Sequence, residues 1–268
     1  FSYDYKKLSL AITKKTKAIF LAHLIGFPSD IKKIKKLIKN KKIEILEDCC
    51  ESQGAKTLNR KVGNFGIGGS FSFYWGHHMS TIEGGMITTN NKKFYDLCLL
   101  KRSHGLAREL LISDQKKIKK KFSKRDFKFL FISDGYNLRS TEINAFLGIQ
   151  MLKKIDSWIK IRNNNYENFI KLINKYNKYF FVPFRNKDKI SSFVLPFILK
   201  KHKVKKNLEI AFDKAPLALK KVCENIEYFL KNSTTQLNGN YYTTPSISQF
   251  IIMVKNNKRL HKKYLKFK

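Results

Sequence analysis

Two apolar runs separated by an amphipathic segment constrain the fold of this chain more than any other feature. Residues 17–25 are apolar and end at a turn that contains Gly26 and Pro28. Residues 29–42 carry apolar side chains at helical spacing with lysines on the other face, and residues 43–48 are apolar again. Strand, helix and strand within about thirty residues predict a βαβ unit of a parallel sheet. Ligands bind beyond the carboxyl ends of such strands, so Asp48 is a candidate site residue.

The alternation of strands and helices continues along the chain. Apolar or alternating runs predict strands at residues 69–75, 85–90 and 191–199. Helical spacing predicts helices beginning within 94–102, over 141–161 with a cap at Ser140 or Thr141, over 165–176 and near 214–231. The basic segment 115–128 is predicted to be a solvated loop or helix face.

Residues 71–85, FSFYWGHHMSTIEGG, place two adjacent histidines, His77 and His78, where an aromatic strand gives way to a turn. A metal-binding pair is one interpretation, but no carboxylate or cysteine at ligand spacing supports it. The chain has four cysteines and no CxxC pair, so reduced structural thiols are predicted at Cys49, Cys50, Cys98 and Cys223. No metal site is predicted.

The formal net charge of +35 raises the question of a nucleic-acid partner. The lysines are scattered along the whole chain and far outnumber the arginines, which read phosphates and bases most specifically. Nucleic-acid binding is therefore disfavoured. An acidic small-molecule substrate would also benefit from a positive field.

Several motifs follow one another in order: LEDCCESQGA (46–55), VGNFGIGGSFSFY (62–74), EGGMITTN (83–90), RSHG (102–105) and GYNLRSTEINAFLGIQMLKKID (135–156). In these motifs the chain resembles the DegT/StrS family of pyridoxal-phosphate (PLP) enzymes of nucleotide-sugar metabolism. The resemblance implies an α/β fold like that of aspartate aminotransferase, with a mostly parallel sheet flanked by helices. It also implies a PLP-binding large domain over residues 1–160 and a partial small domain over 161–268, divergent after about residue 200.

The resemblance assigns roles to individual residues. Asp48 corresponds to the carboxylate at the pyridine nitrogen, which keeps that nitrogen protonated so that the cofactor is an electron sink. Glu51 stands near the cofactor's phenolic oxygen, where the family usually has Gln. Ser72, five residues before His77, corresponds to a hydroxyl that holds the cofactor phosphate. Packing within a strand is the alternative for Ser72.

The remaining assignments concern the second subunit and the substrate. Asn137 corresponds to a residue that reaches the phosphate of the neighbouring subunit's cofactor, which implies a homodimer with shared sites. Arg139 is assigned to substrate binding. His78 is assigned either to substrate binding or to a structural role.

One departure from the family pattern decides the expected chemistry. The aminotransferases of the family have a lysine, which binds the cofactor covalently, at the position of His77. Histidine forms no stable Schiff base, but it acts as a general acid or base near neutral pH. The same HH arrangement occurs in the ketosugar 3-dehydratases, which use non-covalent pyridoxamine phosphate (PMP) to remove a C3 hydroxyl from a nucleotide-linked 4-keto-6-deoxy sugar. His77 is thus predicted to be catalytic.

The dehydratase branch has two types. One carries an iron–sulfur cluster held by cysteines clustered mainly after the GG block, where residues 102–115 of this chain contain no cysteine and Cys98 stands alone, so no cluster is expected. The cluster-free type acts on GDP-4-keto-6-deoxymannose and regenerates PMP from glutamate, the expected amino donor. A sugar aminotransferase and a non-catalytic basic remnant of the same fold are the alternatives.

The beginning of the chain and its apolar runs bear on completeness and location. The chain begins at Phe1, without the family's N-terminal segment, so it is expected to be a fragment. No apolar run is long enough to span a membrane and no charged-then-apolar leader is present, so a cytoplasmic protein is expected.

Overall fold

The computed structural model describes residues 3–39, 41–175, 177–178, 180–181, 189–196 and 198–200. Its helices are α1 (Tyr5–Ala11), α2 (Ile31–Leu37), α3 (Lys92–Arg102), α4 (Ile112–Lys119), α5 (Lys124–Lys128), α6 (Glu142–Leu152) and α7 (Ile155–Lys175). Its strands are β1 (Ala18–Ala22), β2 (Glu44–Asp48), β3 (Lys56–Thr57), β4 (Arg60–Lys61), β5 (Gly68–Ser72), β6 (Gly85–Thr88), β7 (Phe180–Phe181) and β8 (Ile198–Leu199). No helix in this described part is long and apolar enough to cross a membrane.

A four-stranded sheet in the order β1-β2-β5-β6 is the centre of the fold. Strands β1, β2 and β5 are parallel, and β6 runs antiparallel to β5. Helix α2 connects β1 to β2, which is the predicted βαβ unit. The predicted α/β class with a mostly parallel sheet flanked by helices is confirmed.

Helix α2 forms where the lysine-rich repeat begins. The Asp30 side chain caps it by accepting a hydrogen bond from the Lys33 N–H at 3.0 Å. Its apolar stripe packs on the sheet, where Ile31 and Ile34 are fully buried against residues of β1 and β2. Each such buried side chain contributes about 1.5–3 kcal/mol relative to exposure, so this face fixes the helix on the sheet.

Two predicted strands end earlier than the sequence suggests. The first ends at Ala22, because its continuation is a 3-10 turn over Leu24–Gly26. The predicted strand 69–75 ends at Ser72, where the chain turns towards the histidines. Both strands therefore end at the candidate site.

The predicted single helix over residues 141–161 is wrong, because the chain breaks between α6 and α7. No glycine or proline occupies the break, so we attribute it to packing. Helix α6 buries none of its residues, whereas α7 buries Trp158 and, further along, Tyr166 and Phe169. Helix α7 also includes the predicted helix 165–176 up to Lys175 and runs across the predicted domain boundary at residue 160.

The predicted strand over residues 191–199 is also wrong for most of its length. Only Ile198–Leu199 forms a ladder, with Phe180–Phe181. Residues 191–193 instead bond to the turn after β1 and to side chains of α7, which use their backbone groups. The basic segment 115–128 contains the end of α4 and all of α5, with its lysines exposed as predicted. The predicted helix near 214–231 and the divergent region after about residue 200 lie outside the described residues.

Candidate active site

Polar side chains stand at the carboxyl ends of three neighbouring parallel strands. His23 follows β1, Asp48 ends β2 and Ser72 ends β5. In the pairing of β2 with β5, Asp48 lies opposite Ser70, two residues before Ser72. The connection from β5 to β6 leaves this edge and carries His77. The fold thus brings together Asp48, Ser72 and His77.

His77 sits in a turn whose hydrogen bonds fix its ring. Its N–H donates to the Tyr74 carbonyl at 3.0 Å, and the Tyr74 N–H donates to Ser72 Oγ at 3.2 Å. The same Oγ lies 3.2 Å from His77 Nδ1. Nε2 makes no hydrogen bond to any residue that the structure describes. One nitrogen is therefore oriented by the strand end, and the other is free to exchange a proton.

The surroundings of His77 favour its neutral form. Its half-buried ring stacks on Phe193, with centroids 5.5 Å apart and planes 22° apart. Burial lowers the pKa of His77 and outweighs the opposing negative charges of Glu51 and Asp48. A neutral imidazole with one free nitrogen is a competent general base.

His78, the next residue, is only 3% exposed. Its Nε2 lies 2.9 Å from Ser191 Oγ and 3.2 Å from the Ser191 carbonyl, while Nδ1 has no partner within the described residues. Burial, assisted by the charge of Arg162, lowers the pKa of His78 to about 3. These contacts favour the structural alternative for His78.

Asp48 and Glu51 are half-buried and bonded to nearby backbone. Asp48 Oδ1 accepts the Cys50 N–H at 3.0 Å. Glu51 Oε2 accepts the N–H of Ile25 at 2.7 Å and so connects the β2 end to the turn after β1. The Cys50 thiol has its pKa raised to about 12, by burial first and by Asp48 second, so it is protonated and unreactive.

Asn137 and Arg139 are exposed and are not joined to His77 by any hydrogen bond in the described part of the chain. Asn137 forms an isolated antiparallel bridge with Ser103, next to α3. This placement keeps both side chains on the surface of the single chain.

A buried pair of hydrogen-bonded side chains beneath the site, His23 and Glu47, escaped the sequence analysis. His23 Nε2 lies 3.0 Å from Glu47 Oε2, and both side chains are fully buried. The Glu47 carboxylate also accepts three backbone N–H groups, from Gly63, Phe65 and Gly66. Burial raises the pKa of Glu47, but the hydrogen bonds from His23 and these amides outweigh it and lower the pKa overall. The pair holds the loop before β5 against β2.

His23, Glu47 and Cys49 together resemble a metal site, because their ligand atoms lie within 4.8 Å of one another. His23 Nδ1 already accepts the Ser29 N–H at 3.0 Å, and both Glu47 oxygens accept hydrogen bonds. Burial, followed by the charges of Glu47 and Asp48, raises the pKa of the Cys49 thiol. We therefore assign this cluster to the hydrogen-bonded core.

The sequence analysis also did not identify Glu47, Phe193 or Arg162, and the reasons differ. Glu47 shares the buried face of β2 with Ile45, and a carboxylate in such a register is a sequence signal for a buried partner. Phe193 and Arg162 reach the histidines only through tertiary packing, and no local pattern marks them.

The fold and the site define a class of protein: an α/β protein with polar groups at the carboxyl ends of β2 and β5 and a histidine loop between β5 and β6. Residues 1–249 match the model of the DegT/DnrJ/EryC1/StrS aminotransferase family. The chain belongs to this family.

Individual relatives are similar to this chain over somewhat less than two thirds of its length. The GDP-4-keto-6-deoxy-D-mannose 3-dehydratase of Yersinia pseudotuberculosis is 38% identical over 173 residues, which cover 65% of this chain and 44% of the relative. The GDP-perosamine synthase of Escherichia coli O157:H7 is 36% identical over 163 residues, or 61% of this chain and 40% of the relative.

A solved structure of a related dehydratase is also similar to this chain. It is a GDP-4-keto-6-deoxymannose-3-dehydratase with a trapped PLP-glutamate geminal diamine, similar with a TM-score of 0.68 and 35% identity over 78% of this chain and 55% of that one. The chain thus spans about half the length of the relatives it matches.

Proposed function

We propose that this chain carries the catalytic centre of a PLP/PMP-dependent dehydratase that removes the C3 hydroxyl of a nucleotide-linked 4-keto-6-deoxy sugar. The observation that carries the proposal is His77, which stands where the family's aminotransferases have their cofactor-binding lysine. The names of the relatives favour a GDP-linked sugar, and the pathway would be that of cell-surface polysaccharide (O-antigen) sugars. We further propose a cytoplasmic location and chemistry that needs no iron–sulfur cluster.

The residues at the strand ends fit the cofactor. Asp48 offers a carboxylate for the ring nitrogen, Glu51 lies beside it, and the Ser72 hydroxyl is available for the phosphate. Ser72 Oγ accepts the Tyr74 N–H and lies in hydrogen-bonding distance of His77 Nδ1, so its own proton can point to an anion. When bound, PMP supplies an amine for the sugar ketone and a ring that takes up electrons.

His77 is assigned the proton transfers. With Nδ1–H donating to Ser72 Oγ, the lone pair of Nε2 would be the group that takes up a proton when PMP and the sugar are bound. The imidazolium would then return that proton to the departing C3 hydroxyl, which would leave as water. The ring of Phe193 stacks on one face of His77, and burial favours the neutral form of the base.

Glutamate and a second copy of the chain complete the proposal. Glutamate is the proposed amino donor, as the trapped adduct of the related dehydratase suggests. A homodimer is supported by the exposed apolar side chains of α6, among them Ile143, Phe146 and Ile149. The exposed Asn137 is then free to reach the neighbouring subunit's cofactor, and we keep Arg139 as a proposed substrate contact.

The alternative function is that of a nucleotide-sugar aminotransferase, which the similarity to a GDP-perosamine synthase favours. An aminotransferase needs a lysine that reaches the cofactor aldehyde, whereas the histidine loop, residues 73–84, contains none. The third possibility, a non-catalytic basic remnant, would bind nucleic acid in a salt-dependent manner and bind no cofactor.

Borohydride reduction in the presence of PLP, followed by peptide mapping, tests the proposal. We expect cofactor absorbance without a labelled lysine in the wild-type chain, because His77 forms no stable Schiff base. The matched control is His77→Lys, in which the peptide containing residue 77 should become labelled. A labelled lysine in the wild-type chain would instead assign it to the aminotransferases, and absence of cofactor absorbance would favour the remnant.

A further inference from the structure

A short strap, residues 190–193, crosses the histidine loop without forming regular secondary structure. Two backbone bonds hold it on the turn after β1, from the Ser191 N–H to the Gly26 carbonyl at 3.0 Å and from the Phe193 N–H to the Ile25 carbonyl at 3.3 Å. The same Ile25 donates its N–H to Glu51. The strap is therefore connected through one residue to the end of β2.

Helix α7 holds the strap from the other side. Asn163 donates to the Ile190 carbonyl at 2.8 Å and accepts the Ser192 N–H at 2.9 Å. Arg162 Nη1 donates to the Phe193 carbonyl at 3.2 Å and, at 3.4 Å, to the Ser192 carbonyl. Hydrogen bonds therefore hold the backbone of the strap from both sides.

Arg162 donates hydrogen bonds to two carbonyl groups of the strap, although burying its guanidinium group is unfavourable. Its side chain is only 3% exposed, and Nε and Nη2 have no hydrogen-bond partner within the described residues. Burial lowers the pKa of Arg162 to about 9. A buried cation without a counter-ion costs free energy. We attribute the presence of Arg162 to its hydrogen bonds, which hold the segment that carries Phe193.

The ring of Phe193 lies against both histidines. It stacks on His77 with centroids 5.5 Å apart and on His78 with centroids 5.4 Å apart. Phe193 is 5% exposed. In addition to the hydrogen bond at Nδ1 and the edge contact with the Tyr74 ring, this stack constrains the plane of the His77 ring.

We propose that Phe193 is a positioning residue for His77: it fixes the plane of the imidazole and excludes water from one face, and Arg162 and Asn163 hold the strap that presents it. The effect on turnover rests on the function proposed above. The effect on the titration of His77 does not.

The groups around His77 set the direction of that effect. Negative charge comes from Glu51 and Asp48 at the β2 end, and positive charge from Arg162 in α7 acts on the adjacent His78. The Tyr74 ring meets His77 edge-on, and its backbone carbonyl accepts the His77 N–H. Burial is the largest cause of the lowered pKa of His77, so removing the Phe193 ring should raise that pKa.

The test is the titration of His77 by NMR in imidazole-labelled protein, with its resonance assigned by the signal lost in His77→Asn. Phe193→Leu should raise the pKa of His77, and Phe193→Tyr should retain the wild-type value. Phe127→Leu is the matched control, because it truncates a buried phenylalanine of α5, a helix that makes none of the hydrogen bonds of the strap. It should lower stability without moving the pKa of His77.

A kinetic assay and a second variant complete the test. In the dehydration assay, Phe193→Leu should lower kcat about tenfold with a smaller effect on KM, because a misplaced base slows the chemical step. Asn163→Ala, which frees the strap, should raise the pKa of His77 as well and replaces Phe193→Leu if that variant does not fold.

An unchanged pKa of His77 in Phe193→Leu, with both leucine variants equally destabilised, would reduce Phe193 to a packing residue and overturn the proposal. Full dehydration activity of His77→Asn would overturn the proposed function instead, and the titration would still decide the role of Phe193.

Discussion

At the scale of single residues, two adjacent histidines have opposite environments. His77 is half-buried, and its Nε2 makes no hydrogen bond within the part of the chain that the structure describes, whereas His78 is buried with Nε2 bonded to Ser191. Both stack on Phe193. The pair therefore divides into one residue that can exchange protons with a ligand and one that joins the loop to the strap.

The buried His78 makes stability depend on pH. Its pKa is about 3 in the folded chain against 6.5 ordinarily, so the unfolded chain binds more protons between these values. The contribution of the neutral His78 to the free energy of unfolding is therefore fully present above pH 6.5. It is lost on acidification towards pH 3, and about 2 kcal/mol of it is lost between pH 7 and pH 5. In His78→Gln, which keeps a donor for Ser191 but does not titrate, this part of the loss should disappear. Urea unfolding at both pH values measures it, and equal losses in the two proteins would contradict the assignment.

At the scale of elements, the start of α6 is tied to the histidine loop by one side chain. Asn144 completes a capping box with Thr141. Its Nδ2 also donates to the carbonyls of Thr81 at 2.7 Å and Glu83 at 3.0 Å. The helix that follows Asn137 and Arg139 is thus attached to the loop that carries His77.

Two substitutions separate the cap from this tether. Asn144→Ala removes both and should lower the free energy of unfolding by about 2 kcal/mol. Asn144→Asp keeps the acceptor of the cap at a favourable place on the helix dipole but loses both donors to the loop. If the tether contributes, the aspartate variant should be destabilised too, as measured by urea unfolding. Wild-type stability of Asn144→Asp would show that only the cap matters.

Local patterns predicted the elements whose residues obey local rules. The βαβ unit was predicted because one face of α2 is apolar and Asp30 can cap it. The β3–β4 hairpin was missed because its turn residues, Leu58 and Asn59, adopt positive φ without the glycine that usually marks such turns. The strap was predicted as a strand because its sequence is an apolar run. That run gives no sign of the hydrogen bonds that its backbone makes to distant residues such as Asn163. Asp48 and His77 were found through motifs, whereas Phe193 and Arg162 depend on contacts that no motif contains.

At the scale of the whole molecule, the described part of the chain exposes one helix and one predicted cofactor-binding residue. Helix α6 has no buried residue, and Phe146 is 63% exposed. Asn137 lies on the surface, and within the described residues it makes no hydrogen bond to Asp48, Ser72 or His77. A second copy that covers α6 would satisfy both observations, with each site built from two chains.

The most direct measurement of the central claim is dehydration of GDP-4-keto-6-deoxymannose, with PMP and glutamate, by His77→Asn, by Asn137→Ala and by a refolded equal mixture of the two. Each variant alone should have little dehydration activity. His77→Asn should retain cofactor absorbance but form no 3-deoxy product. In the mixture about a quarter of the sites combine an intact His77 with a neighbour's intact Asn137, so about a quarter of wild-type activity should return. Wild-type activity of His77→Asn alone would contradict the account, and a mixture as inactive as its components would contradict the shared site.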